Sequence, residues 1–392
     1  MTTRHGISLL TAAILLSALG DFLAVIPLAL HLQHDSGSGI VVAGLFIALW
    51  TPVALLAAPA GLLVDRFDPR RTLIAVSLAQ AVVAAGLAFA GSTVEILALT
   101  ALLGCGVAVA NPAEFALVPA VADETRLKAA NGRIESARYL GYTLGPLLGG
   151  ALAASGGTHV ALLIDAASFA VVALVALVLR PRPAPARDHA DLGRARDGIV
   201  FLLRDRVLAL VISVAFVSLL FMTASATAEV FFATDVLGAG DLGYGVLMTA
   251  WTAGMVLGAI TLPRRVPAAA AATVALVAIA VQGAGLALPT LWLSVGFAAA
   301  AYVVGGSAQG LKNVLIRTLI HERVPERLHG RAYAAYNGLR NGAELVALAG
   351  GGLLVSAIGA RWTLLLAGAL PVLAALAGLA ARRVPHPAPA TT

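Results

Sequence analysis

Long apolar stretches, separated by short segments that contain charged residues, glycine or proline, run along the whole chain and limit what it can fold into. A helix that crosses a bilayer needs about 20 residues, and the chain contains about twelve stretches of that length. Only 12% of its residues are charged, roughly half the share found in an ordinary soluble domain. We therefore expect an all-α membrane protein with twelve transmembrane helices, whose apolar surface faces lipid as well as other helices.

The limits of the predicted helices are set by the charged residues, glycines and prolines between the apolar stretches. In chain order the predicted helices are Ile7–Leu32, Ile40–Leu63, Thr72–Ala90, Val94–Val118, Asn131–Ala154, His159–Leu179, Val207–Thr234, Leu242–Leu262, Ala268–Leu288, Leu291–Thr318, Arg331–Ser356 and Trp362–Ala381.

The basic residues indicate how the chain is oriented in the membrane. With the N-terminus in the cytoplasm, 22 of the 26 Lys and Arg residues lie in cytoplasmic segments; the exceptions are Arg138, Lys312 and Arg340 inside predicted helices and Arg361 on the other side. Cytoplasmic loops of membrane proteins carry such an excess of basic residues. We therefore expect a multi-pass protein of the cell membrane with both termini in the cytoplasm. The formal net charge of +6 then reflects topology rather than nucleic-acid binding.

The two halves of the sequence share residues at a nearly constant offset. Trp50 recurs 201 positions later as Trp251, and Arg138 recurs 202 positions later as Arg340. Repeats with an even number of crossings are parallel and are related by an axis along the membrane normal. This predicts two pseudo-symmetric six-helix bundles with a cytoplasmic linker, rich in proline and charge, between them: residues 1–180 and 207–392 for the bundles and 181–206 for the linker.

The most specific local pattern lies between the second and third predicted helices. It reads Gly61-Leu-Leu-Val-Asp65-Arg66-Phe-Asp68-Pro-Arg70-Arg71. The pattern resembles the signature loop of the major facilitator superfamily, and its Asp-Arg-x-Asp form is similar to that of a branch of macrolide and siderophore exporters. The resemblance implies the major facilitator fold and secondary active transport.

The residue types in this loop suit a conformational latch. Small residues permit close contact between membrane helices, and this is the role expected of Gly61. Asp65 can lie at the N-terminus of a neighbouring helix or pair with a cytoplasmic arginine, and Arg66, Arg70 and Arg71 supply the basic run of the motif. Such a latch holds the two halves shut on the cytoplasmic side. The alternative is an ordinary basic cytoplasmic loop.

The fifth predicted helix carries a second motif, Gly141-Tyr-Thr-Leu-Gly145-Pro146-Leu-Leu-Gly149-Gly150. It is similar to the Gly-x-x-x-Gly-Pro-x-x-Gly-Gly motif of antiporters and exporters in the same superfamily. Three of its glycines are spaced four residues apart and form one smooth face for close helix packing, and the proline can bend the helix. The alternative is small-residue packing without any meaning for the direction of transport.

Charged side chains inside the predicted helices are candidates for contact with a proton or a substrate, because such charges are costly in a bilayer. Asp21, near the middle of the first helix, is the acid placed most deeply in the membrane. Desolvation disfavours its charged form, which suits a proton carrier or a partner for a cationic substrate. The alternative is a structural acid that is hydrogen-bonded to another helix. The Ser-x-x-Gly-Asp pattern from Ser17 to Asp21 also resembles the exporter branch.

Two arginines in equivalent positions of the repeat are further candidates. Arg340 and Glu344 are four residues apart on one helix and can form an ion pair, and Glu135 stands in a similar relation to Arg138. Because Arg138 and Arg340 are repeat-equivalent, we favour a structural or gating role for both, with substrate binding as the alternative.

The remaining candidates lie nearer the ends of their helices. Lys312 is about two turns from the cytoplasmic end of the tenth predicted helix and is expected to extend toward the cytoplasm. Glu114 and Glu229 lie near membrane faces, where solvation at the mouth of a cavity is the simpler interpretation. Asp165, in the sixth predicted helix, is expected to face the bundle.

The chain contains no motif typical of an enzyme, such as His-Glu-x-x-His, a P-loop or a Cys/His cluster, and no cofactor or metal site is predicted. We expect a monomeric secondary transporter whose partners are a small-molecule substrate, the lipid bilayer and a proton as the coupling ion. The favoured activity is proton-coupled efflux of a small amphipathic molecule such as a drug, a macrolide or a siderophore. The alternatives are uptake or facilitated diffusion of a metabolite, and a membrane sensor that does not transport.

The latch hypothesis for Asp65 leads to a first prediction. Asp65→Asn removes the acid of the loop, so it should shift the protein from the outward-open toward the inward-open state. Labelling of single cysteines from each side of the membrane, in a chain without Cys105, reports this shift as a change in accessibility. Unchanged accessibility together with full transport activity contradicts the latch.

Overall fold

The computed structural model describes residues 3–121, 127–179, 202–325 and 329–383, and these ranges are almost wholly helical. In the first half of the chain the helices are α1 (Thr3–Ser36), α2 (Gly39–Arg66), α3 (Pro69–Leu87), α4 (Thr93–Val121), α5 (Leu127–Ala154) and α6 (Thr158–Val178).

The second half repeats this arrangement of long helices. It contains α7 (Arg206–Phe231), extended by a π-helical turn (Phe232–Val236), α8 (Gly240–Thr261), α9 (Ala271–Leu291) and α10 (Val295–Arg323). A last helical stretch, His329–Arg383, has non-helical backbone at Gly359 (φ 80°), which divides it into α11 (329–358) and α12 (360–383).

The predicted helices coincide with these elements to within several residues, and the all-α fold is confirmed. One boundary was wrong: Leu291 was predicted to begin the tenth helix but is the last residue of α9. The chain leaves the helix at Trp292, and α10 begins only after Ser294, whose Oγ accepts a hydrogen bond from the Phe297 backbone N–H. Most of the predicted linker, residues 181–206, lies outside the described ranges.

Two glycines in equivalent turns support the internal repeat. Gly37, between α1 and α2, has φ 59°, and Gly238, between α7 and α8, has φ 62°. They are separated by the same 201 positions as Trp50 and Trp251. Only glycine adopts this left-handed conformation without strain, so the same backbone turn is encoded in both halves.

Nine helical segments of the described ranges are long and apolar enough to cross a membrane. The number is lower than twelve because α5 and α10 are not among these segments and because α11 and α12 are counted as one. Large apolar side chains on the surface, such as Val82 (73% exposed) and Phe89 (78% exposed), are expected where a helix meets lipid. The chain is therefore a multi-pass membrane protein, while the count of twelve spans and the position of the termini stay predictions.

The helices group into two compact units. Unit 1 comprises Met1–Ala190, Thr227–Thr252 and Leu348–Ala360, and unit 2 comprises Asp191–Ala226, Ala253–Ala347 and Arg361–Thr392. Within unit 1, α1 packs on α5 and α6, α2 on α4, and α3 on α4 and α6; within unit 2, α9 packs on α10. The two six-helix bundles of the sequence analysis are a different division of the chain and stay a prediction.

An ion pair at the end of α10 fixes the beginning of α7 in unit 2. Asp205 Oδ1 accepts hydrogen bonds from the backbone N–H of Val207 (3.0 Å) and Leu208 (2.8 Å), and Arg323 donates to Oδ2 at 3.1 Å. Partial burial acts to raise the pKa of Asp205, but these bonds to its charged form outweigh burial and hold the pKa below its usual value.

The glycine motif of α5 is the surface on which α1 packs. A Cβ atom built on Gly141 would lie 2.8 Å from the Leu19 backbone nitrogen, and one built on Gly145 would lie 2.7 Å from the Phe22 Cβ. At Gly149 it would lie 3.1 Å from the Leu23 carbonyl oxygen. The predicted smooth face is thus confirmed, and its neighbour is the helix that carries Asp21.

The last glycine of the motif faces another helix. A Cβ on Gly150 would lie 2.8 Å from the Asp241 carbonyl oxygen and 3.0 Å from the Gly245 Cα, both in α8. Adjacent glycines of α5 therefore permit close approach of two different helices within unit 1.

This packing predicts the effect of bulk at Gly145. Gly145→Leu retains apolar character, so the protein should still insert into the membrane, but the side chain cannot fit against α1 and transport should fall at least about tenfold. Membrane abundance and transport of the two forms test this expectation. Gly132→Leu on the same helix is a matched control, because a Cβ there meets no described atom within 4 Å. Full activity of Gly145→Leu would show that the close contact is dispensable.

Candidate functional site

A cavity of about 170 Å³ lies inside unit 1, among residues of α1 to α6. Its walls are largely apolar, and four charged side chains line it: Asp21, Glu114, Arg138 and Asp165. Three of these four had been selected from the sequence as proton or substrate candidates. The structure brings them to one cavity although they come from α1, α4, α5 and α6.

Glu114 and Arg138 form the central ion pair of this cavity. Glu114 is only 7% exposed, and Arg138 donates to its Oε2 at 3.1 Å. The nearer acid in sequence, Glu135, lies 3.8 Å from the Arg138 guanidinium and is more exposed. The interpretation of Glu114 as a solvated acid at a cavity mouth was wrong, because the side chain is buried and paired with an arginine of another helix.

Asp21 and Asp165 are the other two carboxylates of the cavity. Asp165 is 2% exposed, and the Ser168 hydroxyl donates to its carbonyl oxygen at 2.7 Å. Glycine at position 20 makes room for this arrangement, since a Cβ there would lie 2.6 Å from Asp165 Oδ1. The Gly20-Asp21 pair therefore places one carboxylate in the cavity and accommodates another beside it. Asp21 itself forms no ion pair with any described residue.

Uncharged polar atoms and aromatic rings complete the lining. Gln80 Oε1 and Thr100 Oγ1 are buried and have no hydrogen-bond partner within the described ranges, so each can accept a bond from water or a bound molecule. The rings of Phe22 and Tyr142 lie 5.0 Å apart, and Trp50 adds a third ring. An apolar wall with a few polar groups is typical of a small-molecule site. Neither Gln80 nor Thr100 was found from the sequence, because nothing local distinguishes them from other polar residues of a helix.

The other acid candidate of unit 1 lies elsewhere. Glu229 is half-buried in α7 and is not part of the lining of this cavity.

The signature loop has a structural role that the sequence did not reveal. Asp68 caps the N-terminus of α3 by accepting hydrogen bonds from the backbone N–H of Arg70 (2.8 Å) and Arg71 (3.1 Å). The Arg70 side chain donates to two carbonyl oxygens at the end of α6, those of Ala176 (2.8 Å) and Leu177. A cation at these free carbonyls also complements the helix dipole. Arg70 thus ties the loop to the end of α6.

The other residues of the loop make fewer contacts with the described parts of the structure. A Cβ on Gly61 would meet no described atom within 4 Å, so its expected role in close helix contact was wrong. Arg66 and Arg71 are exposed. The side chain of Asp65 lies outside what the structure describes, and the latch stays a prediction.

Unit 2 contains a separate polar cavity of about 170 Å³. Lys312 of α10 lines it, is 5% exposed, and donates to Gln282 Oε1 at 2.8 Å. Its expected extension toward the cytoplasm was therefore wrong, because the ammonium group is held inside the unit. The predicted pair of Arg340 and Glu344 is confirmed at 2.9 Å and lines the same cavity.

Comparisons with known proteins agree with the fold and with the motifs. The family model described as Major Facilitator Superfamily matches residues 10–347. An uncharacterized MFS-type transporter, YfiS of Bacillus subtilis, is 27% identical over 401 aligned residues, covering 97% of this chain and 94% of the relative. The multidrug efflux pump Tap of Mycobacterium tuberculosis is 27% identical over 400 residues, covering 96% and 93%.

Solved structures show the same fold. The nucleoside transporter NupG, as a point variant, superimposes with a TM-score of 0.78 at 15% identity, over 96% of this chain and 99% of that chain. A bacterial homologue of the human lysosomal transporter Spinster, in an inward-facing and unoccupied conformation, gives a TM-score of 0.74 at 15% identity, over 97% of each chain.

Because only one of the two repeat-equivalent arginines pairs with a buried acid, we expect their replacement to destabilise the protein by different amounts. Arg138→Met leaves the Glu114 carboxylate buried without its counter-charge, which should cost about 3–5 kcal/mol. Arg340→Met is the matched control: its pair with Glu344 has side-chain exposures of 46% and 28%, so its loss should cost about 1 kcal/mol or less. The apparent melting temperatures of the purified variants measure the difference.

A double variant separates the ion pair from simple loss of packing. Glu114→Gln combined with Arg138→Met removes both charges and should recover most of the melting temperature that Arg138→Met loses. Equal melting temperatures for Arg138→Met and Arg340→Met, or no recovery in the double variant, would contradict a stabilising buried pair.

Proposed function

The chain belongs to the Major Facilitator Superfamily of transporters, and on that basis we propose that it exports small amphipathic molecules in exchange for protons. The observation that carries this proposal is the cavity of unit 1, which gathers three carboxylates and one arginine within apolar walls. A secondary transporter needs a group that takes up and releases the coupling ion at a position that the substrate can also reach. The cavity offers such groups next to an apolar surface.

The three acids differ in what holds their charge. Glu114 has Arg138 as its counter-ion at 3.1 Å, so its carboxylate can remain ionised inside the unit. Asp21 has no ion-pair partner within the described ranges. Burying an isolated charge is costly, and a carboxylate without a counter-charge avoids that cost by taking up a proton. Asp165 also has no ion-pair partner among the described residues, but it is only 2% exposed, whereas Asp21 is half-buried and therefore easier for a proton and a substrate to reach. We therefore assign Asp21 the role of proton carrier and Glu114 the role of a fixed charge.

The geometry around Asp21 supports coupling between proton and substrate. Tyr142 and Arg138 of α5 and Asp21 of α1 line the same cavity, and α1 and α5 are in close contact through the glycine motif. A substrate that enters the cavity changes the polarity around Asp21 and thereby the cost of its charge. In alternating access, Asp21 releases its proton on one side of the membrane and takes one up on the other.

The lining also indicates what kind of substrate is bound. Phe22, Phe46 and Trp50 offer aromatic surface, and the buried oxygens of Gln80 and Thr100 offer acceptors without a partner among the described residues. Such a site favours an amphipathic molecule with at least one hydrogen-bond donor. The relative named as a multidrug efflux pump supports the same direction and substrate class. The likeness to a nucleoside transporter supports the fold alone.

The function is tested in proteoliposomes with an imposed pH gradient. Ethidium and a neutral macrolide serve as probes, and their accumulation is measured with the gradient, without it, and with an ionophore that abolishes it. Proton-coupled export requires that accumulation follow the gradient. Flux that only equilibrates the probes indicates facilitated diffusion, and absence of flux for every compound of a broad panel favours a sensor.

If Asp21 carries the proton, a variant of Asp21 should lose the coupling of transport to the pH gradient but keep the binding of the probe. Asp21→Asn keeps the size and hydrogen-bonding capacity of the side chain but fixes it in a neutral state. We expect this variant to lose gradient-driven accumulation while it retains probe binding and downhill exchange. Asp35→Asn is the control, because Asp35 is exposed near the end of the same helix and should not affect coupling. If Asp21→Asn follows the gradient as the native protein does, Asp21 is structural, and Asp165, which lines the same cavity, becomes the better candidate in place of Glu344 or Glu229.

A further inference from the structure

The polar cavity of unit 2 is lined by three helices. From α7 come apolar residues such as Ile212, Phe216 and Leu219, from α10 come Lys312 and Asn313, and from α11 come Tyr336, Arg340 and Glu344. The cavity thus has one apolar wall and one wall of charged and hydrogen-bonding groups. This division is typical of a site for an amphipathic molecule.

Lys312 is a buried amine whose protonated form has no counter-ion among the described residues. Its ammonium group donates to Gln282 Oε1 at 2.8 Å, and the Gln282 amide nitrogen donates to Met222 Sδ at 2.8 Å. An ammonium has three N–H donors, and the amide oxygen uses one of them. Lys312 forms no ion pair with any residue in the described ranges. Gln282 positions the ammonium but leaves its charge in place.

The other two charges of the cavity compensate each other. Arg340 Nε lies 2.9 Å from Glu344 Oε1 within α11, so the acid of the described lining already has a counter-ion and does not balance Lys312. The described lining therefore carries a net positive charge that belongs to Lys312. A buried ammonium without a counter-ion is costly, and the amine avoids that cost by losing its proton. A bound anion stabilises the protonated form instead.

We propose that this cavity binds the carboxylate of an amphipathic organic anion, with Lys312 as its counter-charge and the apolar face of α7 against its hydrocarbon part. The volume of about 170 Å³ holds an acidic head group with a short apolar segment. Asn313 and Tyr336 lie in the same lining and supply hydrogen bonds. This inference names a substrate class for the transport activity and rests on the proposed function in that respect.

The binding test uses three probes that share one apolar body and differ in head group. They are 4-phenylbutyrate, 4-phenylbutanol and 4-phenylbutylamine, and sodium sulfate serves as a bare oxyanion. Melting temperatures of the purified protein are measured at constant pH over a concentration series of each probe. We expect 4-phenylbutyrate to raise the melting temperature by about 2 °C or more through Lys312 and sulfate to leave it unchanged, whereas any shift with the alcohol or the amine, which suit the unit 1 cavity, does not depend on Lys312. No shift with the carboxylate, an equal shift with sulfate, or a carboxylate shift that does not depend on Lys312 would overturn the proposal.

Substitution of Lys312 distinguishes a ligand-binding role from a structural one. Lys312→Met keeps the length of the side chain and removes a buried charge, so the protein without probe should melt at the same temperature or higher, while the shift with 4-phenylbutyrate disappears. Lys312→Arg should retain part of the shift. Arg361→Met is the control for loss of one positive charge in unit 2, because the Arg361 side chain bonds to the Thr290 carbonyl oxygen (2.9 Å) and does not line the cavity.

A structural role gives the opposite pattern. If Lys312 only holds Gln282 in place, Lys312→Met lowers the melting temperature without probe and leaves the shift with 4-phenylbutyrate intact. This result overturns the proposal. Because no gradient is applied, the measurement does not depend on proton coupling. A failure of the proposed antiport therefore shows in the flux assay alone, and a failure of the anion site shows in the melting temperatures.

Discussion

The contact between α1 and α5 determines where the charged groups of unit 1 lie. Glycines at positions 141, 145 and 149 remove the side chains that would separate the two helices, and the α1 backbone approaches at Leu19, Phe22 and Leu23. Asp21 lies between these contact residues in sequence, and Arg138 lies about one turn before Gly141 and two turns before Gly145 in α5. Close packing of small residues is a common way to hold membrane helices together, since lipid provides no hydrophobic force between them. The carboxylate and the arginine of the cavity are positioned by this packing.

The acids of the unit 1 cavity differ in whether a counter-ion stabilises their charged form, and this difference suggests a different role for each. A carboxylate that is desolvated but paired is stable as an ion, and Glu114 with Arg138 is such a case. A carboxylate in the same cavity without a counter-ion changes its charge more readily, and Asp21 is in this situation. Asp165, whose backbone carbonyl accepts a hydrogen bond from Ser168, adds a third carboxyl group. On the proposal above, the cavity combines one acid that stays charged with one that exchanges a proton.

The sequence was informative wherever one helix or one turn decides the outcome. Most of the helix limits, the glycine face of α5 and the Arg340–Glu344 pair follow from local spacing. The failures concern contacts between helices. Glu114 and Arg138 are 24 positions apart, and their pairing depends on how α4 and α5 are rotated about their axes, which no local pattern reveals.

Two further errors have the same origin. Distance from the helix end indicated a solvated Lys312, but a glutamine of the preceding helix holds its ammonium group. For Gly61, a family-like motif indicated close packing where the described structure has none, while Arg70 of the same motif binds the end of α6. Both outcomes depend on neighbours brought together only by the fold.

The repeat explains how one architecture can carry two different sites. Arg138 and Arg340 occupy equivalent positions, and each pairs with a glutamate and lines a cavity in its own unit. Their surroundings differ: Arg138 binds a buried acid of another helix, whereas Arg340 binds an acid on its own helix with substantial exposure. In unit 1 the arginine is thereby used to hold an acid next to Asp21, and the described lining is rich in carboxylates. In unit 2, Arg340 is paired with Glu344 of its own helix. The charged group of the lining that is left without a counter-ion is Lys312. The two equivalent arginines therefore differ in the acid that they bind, and the two cavities differ in the charge that is left without a partner, as the proposals for a proton site in unit 1 and an anion site in unit 2 require.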